Sequence, residues 1–142
     1  MKTKKKYIIL ISVILLVLPA FLFAFGQNEV KETSVVEAVA QYHKIDAKTA
    51  KVAFDTQSDI IIIDVRTEGE YNNGHIIDAI NIPLGEVEMS VLEQFPNKDE
   101  KLYVYCRSGN RSAQAAKLLV NQGYTNVYDF GGVIDWSYGL EY

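Results

Sequence analysis

Four consecutive isoleucines, Ile60 to Ile63, limit the folds open to this chain more than any other feature. On a β-strand, successive side chains point to opposite faces of the sheet. An unbroken apolar run therefore needs both faces to be covered, as they are for an internal strand of a parallel sheet. The run predicts such a strand from Asp59 to Val65.

From Tyr42 onward, short apolar runs alternate with segments of helical spacing. This alternation predicts an α/β domain with a mostly parallel sheet and right-handed crossovers, in which sites form at the carboxyl ends of strands. Asp46 and Thr67 are suited to cap two of the helices. The expected strands are 42–45, 59–65, 79–83, 101–106 and 126–130, and the expected helices are 47–54, 67–71, 87–95 and 112–122, with a last short helix around Trp136.

The first 26 residues differ from the rest, because four lysines precede an apolar stretch from Tyr7 to Phe25 without acidic residues. This pattern is typical of a membrane-targeting segment. Its length lies between a signal-peptide core of roughly 7 to 15 residues and a spanning helix of about 20, so a cleaved signal peptide and an uncleaved anchor both stay open. We favour cleavage after Gly26, since Ala24 and Gly26 are small. The leading lysines should stay cytoplasmic and place the chain from Gln27 outside the cytoplasm.

We therefore expect three segments: a leader over residues 1–26, a tether over 27–41 and a folded domain over 42–142. Without the four lysines of the leader, the net charge falls from −4 to −8, which argues against nucleic-acid binding. The single cysteine excludes an intramolecular disulfide, and with two histidines it cannot build a metal site of the Cys or Cys/His type without carboxylate ligands.

That cysteine, Cys106, comes directly after an apolar strand and shortly before a helical segment. A tight curl running into a helix N-terminus turns backbone N–H groups inward and forms a cradle for an anion. Such surroundings favour the reactive thiolate over the thiol. Lone cysteines are often plain core residues, but the combination here favours a nucleophile. The expected site loop consists of Cys106, Arg107, Ser108, Gly109, Asn110, Arg111 and Ser112, in which Gly109 and Asn110 tolerate left-handed backbone and the two arginines suit an oxyanion.

Three motifs in the expected order, "IIDVRTEGEYNNGHIIDAINIP", "CRSGNRS" and "GGVIDW", resemble a single-domain rhodanese, a thiosulfate sulfurtransferase-like domain. The resemblance extends from about Tyr42 to Tyr142. It implies a rhodanese-like α/β fold with a five-stranded, mostly parallel sheet flanked by helices on both faces. It also implies sulfur transfer through a persulfide on Cys106 without cofactor or metal.

The resemblance further implies the partners and the roles of the site residues. The donor is thiosulfate or a similar sulfane anion, and the acceptor is cyanide, a thiol or a protein. The loop amides from Arg107 to Ser112 would hold the persulfide, and the arginines would bind the donor anion. Asp64 and Arg66 should lie near the loop as supports if their strand neighbours the cysteine strand. The resemblance gives His75 a structural role.

Two other functions stay open. Phosphatases and arsenate reductases of related fold place five residues between cysteine and arginine, whereas only four separate Cys106 from Arg111. The shorter loop should leave a pocket matched to one sulfur atom. A non-catalytic binding module or a sensor that carries a persulfide is the second alternative.

Overall fold

The computed structural model describes residues 41–142, which form one α/β unit around a five-stranded sheet. The expected leader lies outside these residues, as does all of the expected tether except Gln41. The strands are β1 (His43–Lys44), β2 (Ile60–Asp64), β3 (Ala79–Asn81), β4 (Lys101–Cys106) and β5 (Asn126–Gly132). Their order in the sheet is β1-β5-β4-β2-β3, and every neighbouring pair is parallel.

The isoleucine run forms β2, an internal strand between β4 and β3. Ile63 belongs to the buried cluster on one face of the sheet, and Ile62 belongs to the cluster on the other face. The two-residue period of the strand thus sends alternate isoleucines into two cores. The expectation of a sheet covered on both faces is confirmed, and the sheet is wholly parallel rather than mostly so.

Helices cover both faces. They are α1 (Ala47–Thr56), α2 (Glu68–Asn72), α3 (Val87–Gln94) and α4 (Asn110–Asn121), with 3₁₀ turns at Leu84–Glu86 and Val133–Asp135. One core packs against α3 and α4, through Val91 and Leu119 among others, and the opposite core packs against α1 through Ala50 and Ala53. Each face is therefore covered by apolar side chains that helical spacing brings to one side of a helix.

Both predicted helix caps are present. The Asp46 carboxylate accepts a hydrogen bond from the Thr49 amide at 2.7 Å, which begins α1. Thr67 and Glu70 form a reciprocal capping box at the start of α2. Within residues 41–142, no helix is long and apolar enough to cross a membrane.

The helix after the cysteine begins earlier than expected. It starts at Asn110 rather than Ser112, because Gly109 takes the N-cap position with φ +98°. Asn110 is therefore helical, and Gly109 alone supplies the left-handed residue of the curl. The loop between β4 and α4 shrinks to three residues, 107–109.

Candidate active site

Cys106 is the last residue of β4, the middle strand of the sheet. Its side chain is 1% exposed and belongs to the core cluster on the α3 and α4 face. The chain then curls over residues 107–109 and enters α4 directly. The thiol therefore lies at the carboxyl end of a parallel strand and under the N-terminus of a 12-residue helix.

Backbone amides surround the sulfur. The Gly109 N–H donates to Cys106 Sγ at 3.1 Å, and the Ser112 Oγ lies 3.8 Å from the same atom. Burial would raise the pKa of the Cys106 thiol, but hydrogen bonds from the amides of Ser112, Gly109 and Ser108 and from the Ser112 hydroxyl lower that pKa below its ordinary value. The cradle expected from the sequence is thus present and favours the thiolate.

The curl fits against a glycine pair, Gly131 and Gly132, at the end of β5. Gly132 is the partner of Cys106 across β4 and β5, next to a register shift between Val104 and Cys106. A Cβ atom at Gly132 would lie 2.3 Å from the Arg107 carbonyl oxygen and 2.6 Å from Ser108 Cα. Only a residue without a side chain lets β5 approach the loop this closely.

A buried carboxylate lies behind the loop. Asp129 is fully buried and accepts hydrogen bonds from Ser112 Oγ at 2.7 Å, the Gly131 amide at 2.9 Å and Lys44 Nζ at 2.7 Å. Lys44 faces Asp129 because the two residues are register partners on β1 and β5. Sequence reasoning missed this group, since 85 residues separate the ion pair and no local pattern marks it.

The two loop arginines differ in their surroundings. Arg111 donates hydrogen bonds from Nη1 and Nη2 to the Glu70 carboxylate, at 2.7 and 2.8 Å. Arg107 is exposed, and within residues 41–142 its side chain makes no hydrogen bond or ion pair. A role for Arg111 in binding the donor stays a prediction, but its guanidinium already faces a carboxylate. Glu70 was not expected at the site.

Asp64 and Arg66 form a buried ion pair at the end of β2, in which Arg66 Nη2 lies 2.6 Å from Asp64 Oδ2. Arg66 also donates to the Gly74 carbonyl at 2.9 Å, and Asn81 donates to the carbonyl oxygens of Asp64 and Arg66 at 3.0 Å each. Because β2 is paired with β4, this pair lies beside the cysteine strand. These hydrogen bonds join the end of β2 to β3 and to the residues that follow α2, so the pair is placed to support the structure next to the cysteine strand.

The histidines and Trp136 serve packing. His75 stacks on Tyr71 at 3.7 Å between ring centroids and its Nδ1 lies 3.1 Å from the Tyr71 carbonyl oxygen. His43 stacks on Tyr128 at 4.8 Å. Trp136 packs against Phe54 and other aromatic rings on the α1 face. Neither histidine is hydrogen-bonded to Cys106, so the site contains no cysteine–histidine dyad.

The arrangement can hold an anionic sulfur. A thiolate at the end of β4 faces inward N–H groups, which would also stabilise a second sulfur bonded to the first. No cluster of three or more His, Cys, Asp or Glu side chains within the part of the chain described is placed to bind a metal ion. The thiolate and the N–H groups around it are suited to nucleophilic catalysis by the cysteine.

Comparison with known proteins gives one consistent result. Residues 46–138 match the Rhodanese-like domain family. The chain is 42% identical to the thiosulfate sulfurtransferase PspE of Escherichia coli strain K12 over 73 residues, which covers 51% of this chain and 70% of that protein. It is 35% identical to a sulfurtransferase of Allochromatium vinosum over 96 residues, with 67% and 88% covered.

Solved structures similar to this chain are also rhodanese domains. A rhodanese with anions from E. coli has a TM-score of 0.53 and 40% identity, over 55% of this chain and 92% of that one. A rhodanese-like domain protein from Staphylococcus aureus has a TM-score of 0.59 and 30% identity, over 70% and 96%.

Proposed function

The chain belongs to the rhodanese-like family, whose members similar to it include sulfurtransferases, and from this premise we propose that it moves a sulfane sulfur through a persulfide on Cys106. The donor is thiosulfate or a similar sulfane compound, and the acceptor is cyanide, a small thiol or a protein thiol. The thiosulfate sulfurtransferase activity named for PspE supports this choice of donor.

One observation carries the proposal: the sulfur of Cys106 accepts the Gly109 N–H at 3.1 Å inside a curl of backbone amides. The pKa of the thiol is held below its ordinary value by these amides against the effect of burial. Because these amides favour the thiolate, the nucleophile depends less on a general base, and among the described residues neither histidine contacts Cys106.

The first half-reaction forms the persulfide. The Cys106 thiolate attacks the outer sulfur of thiosulfate, a bond forms between the two sulfur atoms, and the S–S bond of thiosulfate breaks. Sulfite leaves with the electron pair of that bond, and the enzyme keeps Cys–S–S⁻. The loop amides would hold the new terminal sulfur, and exposed Arg107 would face the leaving anion.

The second half-reaction returns the free thiolate. An acceptor such as cyanide attacks the terminal sulfur of the persulfide, the S–S bond breaks, and Cys106 recovers the electron pair as thiolate. With cyanide the product is thiocyanate. With a thiolate acceptor the product is a new persulfide, and no further oxidant or reductant is needed.

The test is an intact-mass measurement on the full-length protein after incubation with thiosulfate. The wild-type protein should gain the mass of one sulfur atom and lose it to cyanide with release of thiocyanate. The Cys106→Ala variant should do neither. Because alanine fills almost the same core space as cysteine, this variant should still fold, which circular dichroism would check.

Other outcomes would identify the other functions. Hydrolysis of phosphate esters without a sulfur adduct would contradict sulfur transfer and favour a phosphatase. A stable persulfide that no acceptor removes would contradict turnover and favour a sulfur-carrying sensor.

We also propose that the domain acts outside the cytoplasm, either secreted or held at the outer face of the cytoplasmic membrane. The support is the sequence of the first 26 residues, with basic residues before an apolar stretch.

A further inference from the structure

A bidentate ion pair joins the cysteine loop to the neighbouring helix α2. Arg111 Nη1 and Nη2 donate to Glu70 Oε2 and Oε1 at 2.7 and 2.8 Å, the planar arrangement that makes such pairs strong. Both side chains are about one-third exposed, at 31% and 32%. The Arg111 guanidinium lowers the pKa of Glu70 to about 2, so the carboxylate stays charged at any ordinary working pH.

Glu70 is fixed in this position from its other side. The Thr67 amide and hydroxyl donate to Glu70 Oε2 at 3.1 and 3.0 Å, and the Glu70 amide donates back to the Thr67 hydroxyl at 3.3 Å. The carboxylate is therefore held by its own helix as well as by Arg111. It cannot leave the guanidinium without giving up the cap of α2.

Most basic side chains near the cysteine loop are therefore paired with a carboxylate. Glu70 neutralises Arg111, Asp129 neutralises Lys44, and Asp64 neutralises Arg66. Within residues 41–142, Arg107 is the one basic side chain of the loop region without a carboxylate partner. Among the described residues, the loop region thus offers one unmatched cation, exposed Arg107, next in sequence to the cysteine, which is a poor charge balance for an incoming dianion.

We propose that Glu70 determines donor specificity: by neutralising Arg111, it biases Cys106 toward sulfane donors with at most one negative charge, such as hydropersulfides, and against the thiosulfate dianion. This inference rests on the proposed function, since it concerns the donor of the same cysteine. With a neutral hydropersulfide R–S–SH, the Cys106 thiolate forms a bond to the terminal sulfur and the S–S bond of the donor breaks. Its electron pair leaves on R–S⁻, which takes the proton of the transferred SH group, so that the enzyme keeps Cys–S–S⁻ and a thiol R–SH is released. The charge brought into the site is then smaller than with thiosulfate.

The test compares two donors, thiosulfate and the hydropersulfide of 2-mercaptoethanol, on full-length wild type and Glu70→Gln. Glutamine removes the charge but keeps the capping box. We expect kcat/KM for thiosulfate to rise about tenfold through a lower KM, with kcat nearly unchanged, while kcat/KM for the hydropersulfide changes less than about twofold. A purely structural role for Glu70 would change both donors alike.

Glu68→Gln is the matched control. Glu68 is exposed, lies in the same first turn of α2 and makes no side-chain hydrogen bond or ion pair among the described residues. Its substitution removes the same charge without freeing Arg111. If Glu68→Gln raises thiosulfate use as much as Glu70→Gln does, bulk charge explains the effect and the inference is wrong.

A second measurement needs no variant. On the wild-type protein, sulfate should inhibit no more strongly than the monovalent anion nitrate, because the site lacks a free cation pair for a dianion. Stronger inhibition by sulfate would overturn the inference. Intact mass separates this result from the proposed function: if neither donor adds a sulfur atom to Cys106, the proposed function itself fails and the inference fails with it.

Discussion

Ser112 has one hydroxyl proton, which it can donate either to the Asp129 carboxylate or to the Cys106 thiolate. Its Oγ lies 2.7 Å from Asp129 Oδ1 and 3.8 Å from Cys106 Sγ, and the side chain is fully buried. The serine thus couples the nucleophile to a carboxylate that never reaches solvent. Lys44 on the far side keeps that carboxylate from placing an unbalanced negative charge behind the thiolate.

We predict that Ser112→Ala raises the pKa of Cys106, because the Ser112 hydroxyl is one of the groups that lower it. The thiolate would then be lost at a higher pH as the solution is acidified, and the acid limb of the activity profile would move in the same direction. Asp129 would also lose one buried donor, at a cost of about 1–3 kcal/mol in the free energy of unfolding. Ultraviolet absorbance of the thiolate against pH measures the shift.

Ser108→Ala is the comparison for this experiment. The backbone amide of Ser108, rather than its exposed side chain, lowers the pKa of Cys106, and alanine keeps that amide. The pKa of Cys106 should therefore change little. An equal shift in both variants would show that the Ser112 hydroxyl has no particular effect on the thiol.

The close approach of β5 to the cysteine loop determines the shape of the site. Gly132→Ala would place a methyl group 2.3 Å from the Arg107 carbonyl oxygen, and backbone atoms cannot move aside at low cost. We predict a loss of about 1–3 kcal/mol in unfolding free energy and a clear fall in sulfur transfer as the loop is displaced. Thermal unfolding and thiocyanate release measure the two effects.

Gly85→Ala provides the control, since a Cβ atom at Gly85 would meet no heavy atom within 4 Å. Its stability and activity should stay close to those of the wild type. Wild-type behaviour of Gly132→Ala would mean that the close contact between β5 and the loop is not needed.

The elements themselves could largely be predicted from the sequence. The isoleucine strand and the caps at Asp46 and Thr67 depend on local patterns, so they were expected correctly. The start of α4 was missed by two residues, because Asn110 suits a loop as well as a first helical turn. The last strand was expected to end at Phe130, yet Gly131 and Gly132 extend β5, since only the folded chain brings the loop against them.

The charges of the site were harder to predict than its nucleophile. Cys106 and its curl are contiguous in sequence, whereas the ion pair of Arg111 with Glu70 spans 41 residues and that of Lys44 with Asp129 spans 85. Such pairs depend on strand order and register, which hydrophobic periodicity does not specify. Because Glu70 lies 41 residues from Arg111, the sequence suggested that Arg107 and Arg111 were equivalent. Among the described residues, Arg111 is paired with a carboxylate and Arg107 is not.

The proposed removal of the leader would change the net charge of the whole molecule. Removal of residues 1–26 would take away four lysines and no acidic residue, so the released part would carry a net charge of −8 rather than −4. A negatively charged surface repels other anions at long range, and salt weakens this repulsion. It acts in the same direction as Glu70 in disfavouring a dianionic donor.

The last prediction concerns where this molecule resides. Expressed in bacteria with its own N-terminus, the wild-type chain should be cleaved after Gly26 and recovered outside the cytoplasm with Gln27 as its first residue. Gly26→Leu should block cleavage, because signal peptidase reads a small residue at this position, and should leave the chain in the membrane fraction. N-terminal sequencing of each cell fraction measures both results. Uncleaved wild type in the membrane would favour the anchor, whereas intact Met1 in the soluble cytoplasmic fraction would contradict export altogether.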